Sequence, residues 1–439
     1  MGERKHKEEV DSFLQNEKPL ELPTGFRRLS IEERRSLVSQ SRSINHEDFA
    51  STDAAQGLLE LADVMVESAI GFMPTPLGLA SGFLIDGNNF TVPMATEEPS
   101  VIAAATYAAH LVAGAGGFKT WAEAPVMTSQ IFVEGASDGS CDRIVEEAQR
   151  IAAGISHLLS GLQARGGGFR GIEAKPLESI DVIVISLHID VRDAMGANLL
   201  NSLAEAARGS IETITGGRVV MSILSNSSGQ RKAGASFRFA LSALSKANKK
   251  KVPGEEVARR IVLASEIAQR DADRAVTHNK GIMNGISALA LATGNDTRAI
   301  EGAAHSWASR DGTYRGLSLY RINEDNLTGE LELPLPLASV GGAVDFHPTS
   351  SFCLDLLGRP SGPNLARIAA ALGLAQNFAA LLALVTTGIQ TGHMPLHVRR
   401  LAYASGARGA ELKELAEALA REEKPNRARA DELLRQMRR

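Results

Sequence analysis

Gly166-Gly167-Gly168-Phe169-Arg170-Gly171 decides between two folds. The string fits the GxGxxG fingerprint of Rossmann sheets, whose glycines follow a strand and open a helix so that a pyrophosphate meets the helix N-terminus. Here the order is reversed. Helical spacing over Asp142 to Leu162 comes before the glycines and a strand comes after them. The stretch therefore reads as a flexible turn, and the chain as α+β without a Rossmann sheet.

Working outward, a strand over Ile180 to Val191, a helix over Ala194 to Ala207 and a strand over Arg218 to Leu224 make Phe118 to Asn226 a self-contained α+β unit. Inside it, Asp190-Val191-Arg192-Asp193-Ala194-Met195-Gly196-Ala197-Asn198 does run from strand into helix. Small residues there let a ligand approach a helix N-terminus whose free N–H groups suit a pyrophosphate. Strand–turn–helix joints are also common as plain connections, which is the more frequent case.

Upstream, Ser30 and Glu33 form a capping box, and Leu58 to Ile70 has helical spacing ending at Gly71. Phe83 to Ile85, Asp86-Gly87 and Phe90 to Met94 read as a hairpin. Glu98 then stands between a strand and an Ala-rich helix that runs to Gly114. It is either a favourable charge at a helix start or an acid aimed into a cleft. Downstream, a helix over Gly254 to Arg270 leads to His278-Asn279-Lys280-Gly281-Ile282-Met283-Asn284-Gly285, with Asp296 sixteen positions after Lys280. A lysine among amides with a carboxylate can hold a cation against a reacting carbonyl. The plain alternatives are a solvated lysine and a helix cap at Asp296. An apolar helix bearing Gln376 follows, then Gly392-His393, and from Gly406 a charged helical tail interrupted at Pro425. That tail is either a solvated face or a lid.

Composition excludes several classes. With 439 residues the chain has room for two or three domains, and 47 basic against 51 acidic residues give a net charge of -4. Neither nucleic acid nor an anionic membrane is expected as a partner. Cys141 and Cys353 form no disulfide framework, and His393 and His397 lack a third ligand, so no metal is expected. The first twenty residues lack the apolar run of an export signal, which points to the cytoplasm. Val101 to Phe118 and Ile368 to Ile389 read as core helices, since His110, Gln376 and Asn377 interrupt them.

Pro93 to Ser100, Asp190 to Asn198, Ile223 to Asn226, Arg274 to Gly285, Ala292 to Asp296, Gly373 to Asn377 and Gly392-His393-Met394 occur together in one order. From Phe26 onward the chain resembles the 3-hydroxy-3-methylglutaryl-CoA (HMG-CoA) reductases of the soluble bacterial type, class II. The resemblance implies a catalytic set of Glu98, Lys280, Asp296 and His393. Ser100, Asn226, Arg274, Asn284 and Gln376 would help hold the acyl group, and Arg27 would contact CoA. Asp193, Met195, Gly196 and Asn198 would line the nicotinamide cofactor. One departure is Glu67-Ser68-Ala69-Ile70-Gly71, where the family usually reads Glu-Asn-Val-Ile-Gly. Ser156 stands where NADH-using relatives carry an aspartate, with Arg165 nearby, so NADPH is favoured over NADH.

The implied reaction reduces (S)-HMG-CoA to (R)-mevalonate and CoA with two NAD(P)H, or runs in reverse. The implied architecture is a polar extension over 1–25, a large mixed α/β substrate and dimerisation domain over 26–120 and 226–388, an inserted small ferredoxin-like cofactor domain over 121–225, and a helical flap over 389–439. A site shared between subunits implies at least a homodimer. Two rivals are a CoA-dependent acyl transferase, which needs an activated cysteine, and a non-catalytic acyl-CoA-binding relative, which would have lost the charged set.

Overall fold

The computed structural model describes residues 22–23, 25–26, 29, 33, 36–37, 55–247, 252–388, 398–422 and 424–438. The capping box at Ser30, and Arg27, His393 and His397, lie outside the described residues. The chain opens with α1 (Ala55–Met65), β1 (Leu77–Ile85), β2 (Asn88–Ala95), α2 (Val101–Ala113) and β3 (Lys119–Ala122). α1 stops five residues short of the expected Ile70, and Ile70 and Met73 are fully or almost fully exposed beyond it. Val64 and Val66 are mostly exposed, and a short helix without a well-packed face is marginal in water. The hairpin forms as expected, with both Asp86 and Gly87 at positive φ.

Next come β4 (Val126–Glu134), α3 (Ser140–Glu146), α4 (Ala148–Gln163), β5 (Gly168–Pro176), β6 (Val182–Asp190), α5 (Ala197–Thr215) and β7 (Arg218–Ser225). Their strands form one sheet in the order β5-β6-β4-β7, every neighbouring pair antiparallel. Each helical crossover skips one strand, a split βαβ pattern. Met127, Ile131, Ile185 and Leu187 face the helices and meet Ile151, Ile155, Leu203 and Ile211 in one core. Two expectations change. The glycine run is only partly a turn, since β5 begins at Gly168 and pairs with Asp190. The helix expected over Asp142 to Leu162 breaks at Glu147, just after a segment that Arg143 ties to the carbonyls of Asp138 and Ile214.

The remainder comprises β8 (Lys232–Ala240), α6 (Leu241–Ala247), α7 (Gly254–Arg270), α8 (Ala272–Ala292), α9 (Thr297–Ala308), β9 (Ser318–Asn323), β10 (Asn326–Pro334), α10 (Ala343–Phe346), α11 (Pro348–Leu356), α12 (Gly362–Val385), α13 (Gly409–Leu419) and α14 (Arg427–Met437). A second antiparallel sheet runs β3-β8-β10-β9. α12 is long and apolar enough to cross a bilayer, yet it is buried on nearly all sides, against α8, α2 and β8. Its Phe378 meets Phe237 at 4.8 Å between ring centroids, and Phe237 meets Phe118 edge-on at 6.0 Å. α8 approaches α12 closely because Gly285 has no side chain, as a Cβ there would lie 3.2 Å from Leu372 Cγ. The C-terminal helices keep a small core of their own around Leu415, Leu419 and Leu434. Arg400 joins them to the carbonyl of Glu97 at 2.8 Å.

A buried polar knot locks α8 between β9 and α12. His278 Nε2 lies 2.7 Å from Ser318 Oγ and 3.2 Å from Asn377 Nδ2, and Ser318 and Tyr320 both donate to Asn377 Oδ1 at 2.9 Å. Burial, helped by the Arg274 charge, pushes the His278 pKa down to about 3. The unfolded chain binds this proton from about pH 6.5 downward while the folded chain refuses it, so stability present above that pH is lost as pH falls toward 3. Urea unfolding at pH 7 and pH 5 should show His278→Asn with a shallower pH slope than the wild type, by up to about 1.4 kcal/mol per unit. Equal slopes would mean that the imidazole takes its proton in the folded chain.

Candidate active site

Glu98 lies in the short link from β2 to α2, its backbone N–H donating to Thr96 Oγ1 at 3.2 Å. Lys280 projects from the middle of α8. Its Nζ donates to Glu98 Oε2 at 2.7 Å, across 182 residues of sequence. Glu98 lines a cleft of about 490 Å³ together with Thr96, Asn284, Ser287, Arg298 and Glu301. Lys280, Asn284, Ser287 and Leu291 recur at helical spacing, and the last three line the cleft along one face of α8. Ser287 donates to Glu301 Oε1 at 2.5 Å, and His305 Nε2 lies 3.3 Å from Glu301 Oε2. Ser287, Glu301 and Arg298 were not expected from sequence. Continuing the 3.6-residue period past Asn284 would have pointed to Ser287.

Among the described residues, two expected acyl-binding groups carry orphaned atoms. Ser100 caps α2 in the left-handed conformation, and its Oγ is buried without a partner. Gln376 Oε1, on α12, is buried and unpartnered as well. Buried polar atoms are nearly always satisfied, so each of these marks a place for a ligand or water. Asn226 follows β7 in an exposed turn. Arg274 is half-buried with no carboxylate partner among the described residues, and burial lowers the pKa of its guanidinium. Its position on α8, six residues before Lys280, turns it about 120° away from the lysine face. The single chain thus separates Arg274 from Lys280.

Asp296 is the N-cap of α9. Its Oδ1 accepts from the N–H groups of Arg298 at 3.0 Å and Ala299 at 3.1 Å. Among the described bonds and ion pairs none joins it to Lys280, so the plain cap reading describes what this carboxylate does here.

The joint from β6 to α5 fits a dinucleotide in one respect: Gly196 opens α5 at φ 79° with no side-chain cap, leaving backbone N–H groups for an anion. Asp193 spends its carboxylate on Gly362 N, at 2.9 Å. Met195 is half-buried and Asn198 exposed. Ser156, exposed on α4, donates to the Ala153 carbonyl, and the Arg165 carbonyl accepts from Arg192. Neither cysteine is an activated nucleophile. Burial pushes the Cys353 thiol far above its usual range, and burial with the Asp142 charge raises Cys141.

The sequence profile described as Hydroxymethylglutaryl-coenzyme A reductase matches residues 30–398. A 3-hydroxy-3-methylglutaryl-coenzyme A reductase of Archaeoglobus fulgidus is 42% identical over 427 residues, covering 94% of each chain. A probable reductase of the same name from Borreliella burgdorferi is 36% identical, covering 90% of this chain and 88% of its own. Among solved structures, a reductase from Streptococcus pneumoniae superposes with a TM-score of 0.79 at 38% identity, covering 94% of this chain and 99% of that one. A class II reductase structure from the same organism, bound to NADPH in open conformations, matches with a TM-score of 0.77 at 38% identity, covering 94% of this chain and all of that one.

The capping role of Asp296 is testable by mutation. Asp296→Ala should lower unfolding free energy by about 1 kcal/mol through the lost cap, while Asp296→Asn, a good cap, should stay within a few tenths. If both variants melt like the wild type, the cap contributes nothing to stability.

Proposed function

The chain belongs to the hydroxymethylglutaryl-coenzyme A reductase family, and from that premise we propose how its residues divide the work. Its function is the reduction of HMG-CoA, and neither an acyl transferase nor a non-catalytic binder is favoured. The observation that carries the residue assignment is the Lys280–Glu98 contact beside Asn284 in the cleft.

Bound NADPH supplies hydride to two carbonyls in turn. The NADPH-bound pneumococcal relative and the serine at position 156 both support that cofactor. Hydride reaching the thioester carbon leaves negative charge on oxygen, which the Lys280 ammonium stabilises. Collapse of the hemithioacetal breaks the C–S bond and sends its electrons to sulfur. His393, assigned by family resemblance, gives the thiolate its proton, since a thiol with pKa about 8.5 leaves poorly as an anion near neutrality. The second hydride makes an alkoxide from the aldehyde; once the substrate oxygen has drawn Lys280 away, the Glu98 carboxylate takes a proton from solvent and passes it to that alkoxide. Asp296 orients the lysine in the loaded site. Ser100, Asn226, Asn284 and Gln376 hold the acyl group, and Arg27 contacts CoA.

We assign the sheet β5-β6-β4-β7 and its helices to a ferredoxin-like cofactor domain over 121–225, with Asp193, Met195, Gly196 and Asn198 against the dinucleotide. Residues 389–439 serve as a flap over the larger substrate domain, and the enzyme acts in the cytoplasm. We also assign the working form to a homodimer. Arg274 faces away from Lys280 on the same helix, and Ile70, Met73, Val276 and Leu291 are exposed apolar groups on the same chain. Arg274 then binds the acyl carboxylate in the partner's cleft.

Lys280→Met should lower kcat for HMG-CoA reduction at least about a hundredfold, read by nicotinamide absorbance. Turnover near the wild-type rate would remove the lysine from the chemistry. Sharing between subunits has its own signature. Lys280→Met and Arg274→Ala, each inactive alone, should regain up to about a quarter of wild-type activity when refolded together, because half the chains pair unlike and each such pair keeps one intact site. A mixture as inactive as its parents would place both residues in one chain's cleft.

A further inference from the structure

The glycine run that is not a Rossmann loop still needs its glycines. A Cβ on Gly166 would lie 2.3 Å from Arg192 Nη2, and one on Gly167 would lie 2.6 Å from the Asp190 carbonyl oxygen. The turn is a seat for the Arg192 side chain. Arg192 holds the left-handed conformation at φ 56°, which is unfavourable for a residue with a Cβ, and its Nε donates to the Arg165 carbonyl at 2.9 Å. That bond uses one edge of the guanidinium. Among the described residues neither Nη of Arg192 has a partner.

The local charges leave this cation uncompensated. Asp190 is buried and already spent: Oδ2 accepts from Arg170 at 2.6 Å and Oδ1 from the Arg192 backbone N–H at 3.1 Å. Asp193 is engaged by Gly362 N and lies near buried Arg231. Arg170, Arg192 and Arg231 therefore outnumber Asp190 and Asp193 around the β6–α5 joint. A fixed planar fork with two free donors suits a phosphate.

We propose that Arg192, seated on the Gly166–Gly168 turn, binds the pyrophosphate of the dinucleotide. The inference rests on the reductase reading above and adds the residue that carries the phosphate contact. The pyrophosphate is preferred to the 2′-phosphate because Arg192 belongs to the β6–α5 joint, whereas Ser156 lies on α4 about 13 Å back along the chain from Arg165 at helical rise.

Direct binding to the full chain tests this by calorimetry with NADPH, ADP-ribose and 2′-AMP. Glycine is the cleanest replacement, since it accepts the left-handed backbone without strain. Arg192→Gly should raise Kd roughly ten- to hundredfold for both NADPH and ADP-ribose, and leave 2′-AMP within twofold. Gly166→Ala, which pushes the guanidinium from its seat, should follow the same pattern, and Arg192→Lys should fall between. HMG-CoA binding unchanged in each variant reports an intact fold. Unaltered ADP-ribose affinity in Arg192→Gly, or a loss confined to NADPH and 2′-AMP, overturns the assignment while the reductase reading stands. A wild-type chain that binds neither NADPH nor ADP-ribose overturns both.

Discussion

The rotational setting of α8 is the constraint on which the rest depends. A helix presents one face to a cleft only if something fixes its roll about its own axis, and here the fixing groups are polar and buried. His278 enters the knot with Ser318, Asn377 and Tyr320. Asn279 next to it donates to the Arg315 carbonyl and accepts from Leu317 N, both at 2.8 Å. Apolar packing against α12 tolerates small rotations, whereas directional hydrogen bonds in a low-dielectric interior do not. With His278 and Asn279 held inward, Lys280 must emerge on the other side, and Asn284, Ser287 and Leu291 follow it.

How the β5-β6-β4-β7 sheet meets α12 follows a related logic. Asp193 reaches Gly362 N at the start of α12, and its carbonyl accepts from Ser339 N at 2.9 Å. Buried Arg231 donates to the carbonyls of Ala194 and Leu337, and burial lowers its pKa to about 10 against the pull of Asp193 and Asp190. These bonds join the β6–α5 joint to the first turn of the helix that bears Gln376. In the proposed assignment, a cofactor seated at that joint is referenced to the same helix as the acyl group. Two bodies that exchange hydride need a common reference of this kind, because misplacement of about 1 Å is costly in rate.

The sequence disclosed some of this and concealed the rest for physical reasons. The order of elements around Gly166 excluded a Rossmann sheet, because helix-before-glycine is a local property. The hairpin at Asp86-Gly87 and the helix over Gly254 to Arg270 were legible for the same reason. Glu98 and Lys280 each stood out locally as candidates, but only family resemblance joined them in one catalytic set, since 182 residues separate the two ends of their contact. The end of α1 was misread because periodicity over Leu58 to Ile70 reports an apolar stripe and not whether a partner covers it. Asp296 shows the converse: its cap is visible from the Asp-Thr-Arg-Ala sequence, while any second role depends on neighbours that local sequence does not encode. Ser287 and Glu301 were within reach of a longer helical reading, but the Arg192 seat was not, because it joins two turns through a collision that only coordinates reveal.

One helix bearing Lys280 on one face and Arg274 on another carries a further consequence under the homodimer assignment. Each copy of α8 then serves two clefts, its own with the ammonium and its partner's with the guanidinium. A change in the roll of α8 displaces the lysine from one substrate and the arginine from another at once. Half-burial of Arg274 without a carboxylate partner among the described residues is a cost that an acyl carboxylate from the neighbouring cleft would offset. The knot at His278 lies between these two faces, and the Arg274 charge already acts on its imidazole. Holding that imidazole neutral keeps the knot from adding a second buried cation beside the arginine, so the same burial that fixes the lysine also preserves Arg274 for an anion.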